Sequence, residues 1–201
     1  MTSERDAAIT AARQLLESGV AAKPDAICKA IVGIGKPYDT QVIGAHAALV
    51  ATYLNHSDHV VRHEAIWFLG SWGHLSEYAS RIHDSAQMDP DIDNRAYAAK
   101  SLGSILKQEK NPVLTKRILA FVEDGQEEIE VRLSAYSGLL YAWNRPDDFA
   151  FLMGEKTISE VDPEFVAQLH AWTQDEAEMP PVIPPRGLFR SLFQAWRASL
   201  I

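Results

Sequence analysis

Three arginines, Arg62, Arg95 and Arg132, can be laid over one another so that the residues around them agree. Four residues before each stands an acid: Asp58, Asp91 and Glu128. Three residues after each comes an alanine, Ala65, Ala98 and Ala135, and seven after comes a leucine, Leu69, Leu102 and Leu139. The copies are 33 and then 37 residues apart, which is room for two helices and two turns. Repetition on this scale constrains the fold more than any other feature of the chain, because a unit this short cannot bury its apolar face alone and must stack on its neighbours.

The pattern has a physical reading. At 100° per residue, positions 3, 7 and 10 after each arginine share a narrow arc. They hold Ala65, Leu69 and Trp72; Ala98, Leu102 and Ile105; Ala135, Leu139 and Ala142, which is the expected buried stripe. The small residue at the first position allows neighbouring helices to approach closely. Each arginine points to the same side from the first turn, so its stem can be buried while its head needs an acid. That acid is either the one four residues earlier, in the favoured i,i+4 order, or one from a neighbouring repeat.

Between these helices run LSEYASRIHDSA (75–86), PVLTKRILAFVED (112–124) and PDDFAFLMGEK (146–156), each apolar at helical spacing and each expected as a partner helix. Asp89-Pro90-Asp91 and Asn111-Pro112 read as helix starts, since Asp or Asn can cap and proline tolerates the first turn. Further helices are expected over 4–17, 24–33, 39–54 and in DPEFVAQLHAWTQ, with breaks at Gly19, Pro24 and Gly35-Lys36-Pro37. No alternating strand pattern competes, so the expected fold class is all-α.

The acid-x-x-x-R-x-x-A-x-x-x-L signature resembles HEAT repeats, in particular the short bacterial kind also seen in phycobilisome-lyase-like proteins. The resemblance covers about residues 38–156 and implies an α-solenoid of antiparallel helix pairs. That scaffold carries adaptors, inhibitors and several enzymes, so function must come from individual residues. VRHEAIWFLG is similar to deoxyhypusine hydroxylase, where His-Glu pairs recur across repeats to hold two irons. Here His63-Glu64 is matched by Ala96-Tyr97 and Leu133-Ser134, and one pair cannot build a di-iron site. His59 and His63 stand at i,i+4 without a third convergent ligand, and read as exposed first-turn residues beside a capping aspartate. No metal or cofactor is therefore expected. The alkylpurine DNA glycosylase family resembles the chain in fold but needs a basic groove. Bilin lyases resemble the repeats themselves, which are a packing code without chemistry. There is no P-loop, dinucleotide fingerprint or GxSxG.

Net charge is −8, and the last 22 residues carry three arginines and no acid, which leaves −11 on the rest. This disfavours nucleic acid and anionic membrane and suits a basic partner. Cys28 is the lone cysteine, no run of about 18 apolar residues exists, and the charged start MTSERDAAITAARQLLESG is unlike a signal peptide, so a cytoplasmic protein is expected.

Positions 2, 5 and 9 after each arginine face away from the stripe, and hold Glu64, Trp67 and Ser71; Tyr97, Lys100 and Ser104; Ser134, Ser137 and Tyr141. Trp67, Tyr97 and Tyr141, with Glu64 and Lys100 beside them, are the candidate partner-binding residues, since large aromatics are enriched in binding hot spots. The alternative is that adjacent helices bury these rings. Asp58, Asp89, Asp91, Asp93, Glu123, Asp124, Glu127, Glu128 and Glu130 fall near repeat starts, as helix caps or as an acidic docking edge. Residues 1–176 are expected to form the repeat domain, 177–187 a stiff proline-rich connector, and 188–201 an amphipathic helix that caps the array or docks into a partner. The expected function is a non-enzymatic protein-binding module, of which an inhibitor or immunity protein against a basic toxin is one form. The competing expectation is an enzyme on the HEAT scaffold, bilin-lyase-like or metal-dependent, which would need a preformed polar pocket.

Overall fold

Five of the helix starts are closed by a short side chain that accepts from backbone amides of the first turn: Asp39, Asp58, Asp91, Asn111 and Asp162. The computed structural model describes residues 2–19, 22–36, 38–145, 157–175 and 178–182. Among them lie nine α-helices and no strand: α1 (Thr2–Glu17), α2 (Pro24–Gly35), α3 (Thr40–Ala51), α4 (His59–Ile66), α5 (Ala79–Met88), α6 (Ile92–Gln108), α7 (Pro112–Glu123), α8 (Ile129–Ala142) and α9 (Pro163–Thr173). A 3-10 turn, Thr52–Asn55, prolongs α3, and a π-helical turn, Trp67–Trp72, prolongs α4. The segment expected as a helix from residue 75 begins as a 3-10 turn at Ser76–Tyr78. The expected helices at 146–156 and 188–201 lie outside the described residues. No described helix is long and apolar enough to cross a membrane.

The elements form two rows. In one, α2, α4 with its π turn, α6 and α8 lie side by side; against it pack α1 on α2, α3 on the π turn, α5 on α6 and α7 on α8, with α9 next to α7. Apolar residues between the rows, among them Ile31, Ile43, Ile66, Leu69, Ile82, Leu102, Ile118 and Leu139, are fully buried. The tightest crossing is α6 on α8, where the backbone of Gly138 occupies the space in which a Cβ on Gly103 would lie. Ser104 and Ser137, expected to face outward, are buried: Ser104 lies on α6, which has helices of its own row on both sides, and Ser137 lies on α8, next to Gly138 at the close crossing with α6.

The recurring positions around each arginine have distinct tasks. Asp58 does not pair with Arg62; its Oδ1 accepts from Val60 N (2.9 Å) and Val61 N (3.3 Å) as a cap. Arg62 reaches forward instead, Nε to Asp89 Oδ2 and Nη2 to Asp89 Oδ1, both 2.8 Å, while Nη1 donates to His56 O and Ser57 O. Arg95 likewise donates to Glu127 Oε1 (3.3 Å) while Asp91 caps α6 through Asn94 N. In the third copy Glu128 makes no side-chain cap, and Arg132 Nε donates to Val122 O (3.1 Å). In the first two copies the acid before the arginine thus closes its own helix and the arginine ties to the start of the following unit, whereas in the third the arginine reaches back to α7. Asp89 therefore belongs to this link, while Asp91 is the cap.

At the far end Trp143 is fully buried, its indole Nε1 donating to Pro180 O (3.1 Å) and its ring set against Phe165 and Trp172. The first part of the expected connector, residues 178–182, is thus held on the helical body at this point.

Candidate functional site

The π turn decides which side chains remain on the surface after α4 is packed. Bonding from Gly73 N to Phe68 O (2.9 Å) spans five residues, so the turn is wider than an α-turn and residues five apart come into line. Trp67 and Trp72 consequently stand one above the other, ring centroids 5.5 Å apart. Trp72 is the one stripe residue that leaves the core: its ring lies half-buried over Gly35, whose missing side chain makes the room. Tyr38, held at φ 63°, sets its ring edge-on to Trp72 at 5.8 Å.

The row continues across to α6. Tyr97 lies 6.0 Å from Trp67, and His63 stands edge-on to both, 5.5 Å from Trp67 and 4.2 Å from Tyr97. Asn94 fixes that imidazole. Its Nδ2 donates to His59 O (2.9 Å), which leaves Oδ1 to accept from His63 Nδ1 at 3.3 Å. Burial lowers the pKa of His63, with the Asn94 bond opposing, so the ring in the row is neutral at pH 7. His63 is thus half-buried and part of the aromatic row, a correction to its expected exposure; His59 is exposed. No group of three His, Cys, Asp or Glu at metal-ligand distance occurs among the described residues.

Glu64, one residue on, has its Oε2 buried without a hydrogen-bond partner among the described residues. Burial raises the pKa of its carboxyl, and the nearby Lys36 charge offsets part of this. Beyond Tyr97 a solvent-open groove of about 420 Å³ runs between α6 and α8, and Asp93, Tyr97, Lys100, Glu130 and Leu133 are among the residues that line it. Trp67 and Tyr97 therefore share one row, Lys100 lies in the groove beyond it, and Glu64 stands on the side of α4 that faces Lys36.

Tyr141 does not join the row. It sits nine residues after its arginine, whereas Tyr97 sits two after, so it is about 10 Å farther along its helix, and its ring is covered by Lys107 Nζ at 3.6 Å from the centroid. Tyr38, Trp72 and His63 take its place. The π turn that recruits Trp72 has no signature in the residues; the spacing of Trp67 and Trp72 by five, with Gly70 and Gly73 between and after, was the available hint.

The acidic edge is largely consumed by structure. Asp58 and Asp91 cap, Asp89 and Glu127 bind arginines, Glu123 Oε1 meets His170 Nε2 at 2.8 Å, and Asp124 accepts from Gln126 N. Asp93, Glu128 and Glu130 remain exposed. No protein-family model, curated protein or solved structure matches the chain.

Proposed function

We propose that the chain is a protein-binding module in which the helix pairs stack as a HEAT-like α-solenoid and the Trp67–Tyr97 row contacts a partner protein. The observation that carries this reading is the row itself: four large rings, Tyr38, Trp72, Trp67 and Tyr97, run continuously from the α2–α3 connection over the π turn to α6 while the core between the rows is filled without them. Tyr97 remains 42% exposed. Aromatic side chains held rigidly by their neighbours offer large contact area at small entropic cost, and such residues dominate binding energy. The arginine links between successive units support the solenoid arrangement, since each joins one repeat to the start of the next.

Capture from the native host on immobilised protein, followed by reconstitution with the purified partner, tests this reading. Trp67→Ala is expected to weaken the reconstituted complex by at least 2 kcal/mol, about thirtyfold in Kd. Tyr97→Ala, at a more exposed position, separates lost contact from lost folding. A partner that binds both variants with wild-type affinity would rule the row out.

A further inference from the structure

We infer that the aromatic row recognises a basic segment of its partner, with arginine side chains lying on the Trp67 and Tyr97 rings and their charges met by Glu64, Asp93 and Glu130. This rests on the protein-binding reading above and names the chemistry of the segment bound.

Ring geometry is the first support. The planes of Trp72, Trp67 and Tyr97 are tilted by only 32° and 34° from one to the next, and His63 is edge-on to the last two at 86° and 84°. Each of these rings is thus tilted by about a third of a right angle from the next, Tyr38 closes the row edge-on to Trp72, and a neutral imidazole props Trp67 and Tyr97 from beside. A planar guanidinium stacks on such rings and donates hydrogen bonds from its edge at the same time, which an ammonium does less well.

The carboxylates provide the second. Glu64 is on α4, one turn before Trp67 at the start of the π turn, and its Oε2 is buried with no donor among the described residues. A buried carboxylate without a partner costs stability, so its presence here needs a compensating role. Asp93 and Glu130 border the groove that shares Tyr97, and neither has an ion-pair partner among the described residues. Lys36 and Lys100 lie near the same face, so the local field is acidic without being uniform. Those lysines space the cationic positions of a bound segment and disfavour an unbroken polycation. The net charge of −8 acts in the same direction at long range.

The test uses the full chain and fluorescein-labelled Gly/Ser peptides carrying spaced arginines, spaced lysines or spaced glutamates, read by fluorescence polarisation. The arginine peptide is expected to bind most tightly. Trp67→Ala and Glu64→Gln should each weaken it by about tenfold, which is about 1.4 kcal/mol. Glu77→Gln removes an equal charge from an exposed site in the other row and is expected to change affinity less than about twofold, as for a screened surface charge. Circular dichroism of each variant verifies folding, and Tyr97→Ala serves if Trp67→Ala does not fold. Equal losses in Glu64→Gln and Glu77→Gln would reduce the binding to general electrostatics and overturn the proposal, as would absence of arginine-peptide binding. Trp67-dependent binding of the glutamate peptide would overturn the basic class while leaving the protein-binding reading standing. Loss of every peptide together with loss of Trp67-dependent capture would remove both.

Discussion

Replacing Asp89 by alanine removes the acid that closes the link between the first and second repeats. Both partners are out of water, the side chains being 8% and 2% exposed for Arg62 and Asp89. The two 2.8 Å bonds form a fork, and Asp89 Oδ1 also accepts from Asp91 N at 2.9 Å, at the entry to α6. Alanine leaves the guanidinium buried with only His56 O and Ser57 O as acceptors and frees an amide at a helix start. Breaking a buried pair from one side costs about 3–5 kcal/mol. For a chain of this size each kcal/mol moves the melting temperature by about 2–4 °C, so a fall of roughly 6–20 °C is expected by calorimetry. Asp58→Ala removes a cap and should cost only about 0.5–2 kcal/mol. The ordering is the test, because an i,i+4 pairing of Arg62 with Asp58 would make Asp58 the more costly loss. Asp58→Ala proving as damaging as Asp89→Ala would refute the forward link. The pH dependence has a defined sign. Burial alone would raise the pKa of Asp89, but Arg62 and the Asp91 amide lower it below the ordinary 3.8. Its contribution is therefore complete above pH 3.8 and lost as the pH falls through the lower folded value.

Gly103→Ala should cost about 3 kcal/mol in urea denaturation, the upper end for overpacking, since the new methyl meets the backbone of Gly138, which cannot move aside as a side chain can. Gly33→Ala, with nothing within 4 Å in the interior of α2, should stabilise by about 0.5–1 kcal/mol in the same assay. Glu64→Gln is expected to raise the melting temperature at pH 7, because a carboxyl whose pKa is raised stabilises only while protonated. The gain should vanish below pH 4.5, and a drop at pH 7 would mean that the carboxylate is paired within the chain. His63, His74 and His83 all have pKa values lowered, first by burial, so stability should decline as the pH falls below 6.5, and His63→Gln should flatten that slope in melts recorded across pH.

Capping chemistry and period made much of the helical order readable. Asn111-Pro112 announces α7 because each residue acts within four positions of itself, and Ala65, Leu69, Ala98 and Leu102 are buried because helical geometry alone lines them up. Contacts between repeats were less legible. Arg62 could be assigned an acid, but choosing between Asp58 and Asp89 needed the stacking of neighbouring units. Ser104 and Ser137 fall on the outward arc of a single helix wheel but are buried, because the wheel ignores the helices beside it. Within the candidate site, Trp67 and Tyr97 are readable as aromatics outside the stripe. Trp72 is not, because the π turn changes the angular step at that one place, and Tyr141 shares the outward arc but not the height along the helix, which a helix wheel does not show. Tyr38 is separated from Trp72 by 34 residues and could not be connected to it by any periodicity.

The role of the aromatic face is tested most directly by hydrogen–deuterium exchange on the chain with and without its captured and purified partner. Protection is expected over His59–Trp72 and the first half of α6, where Trp67, His63 and Tyr97 reside, with little change in α5 and α7 on the opposite row. Protection confined to α5, α7 or α9, with the π turn exchanging as in the free protein, would contradict it.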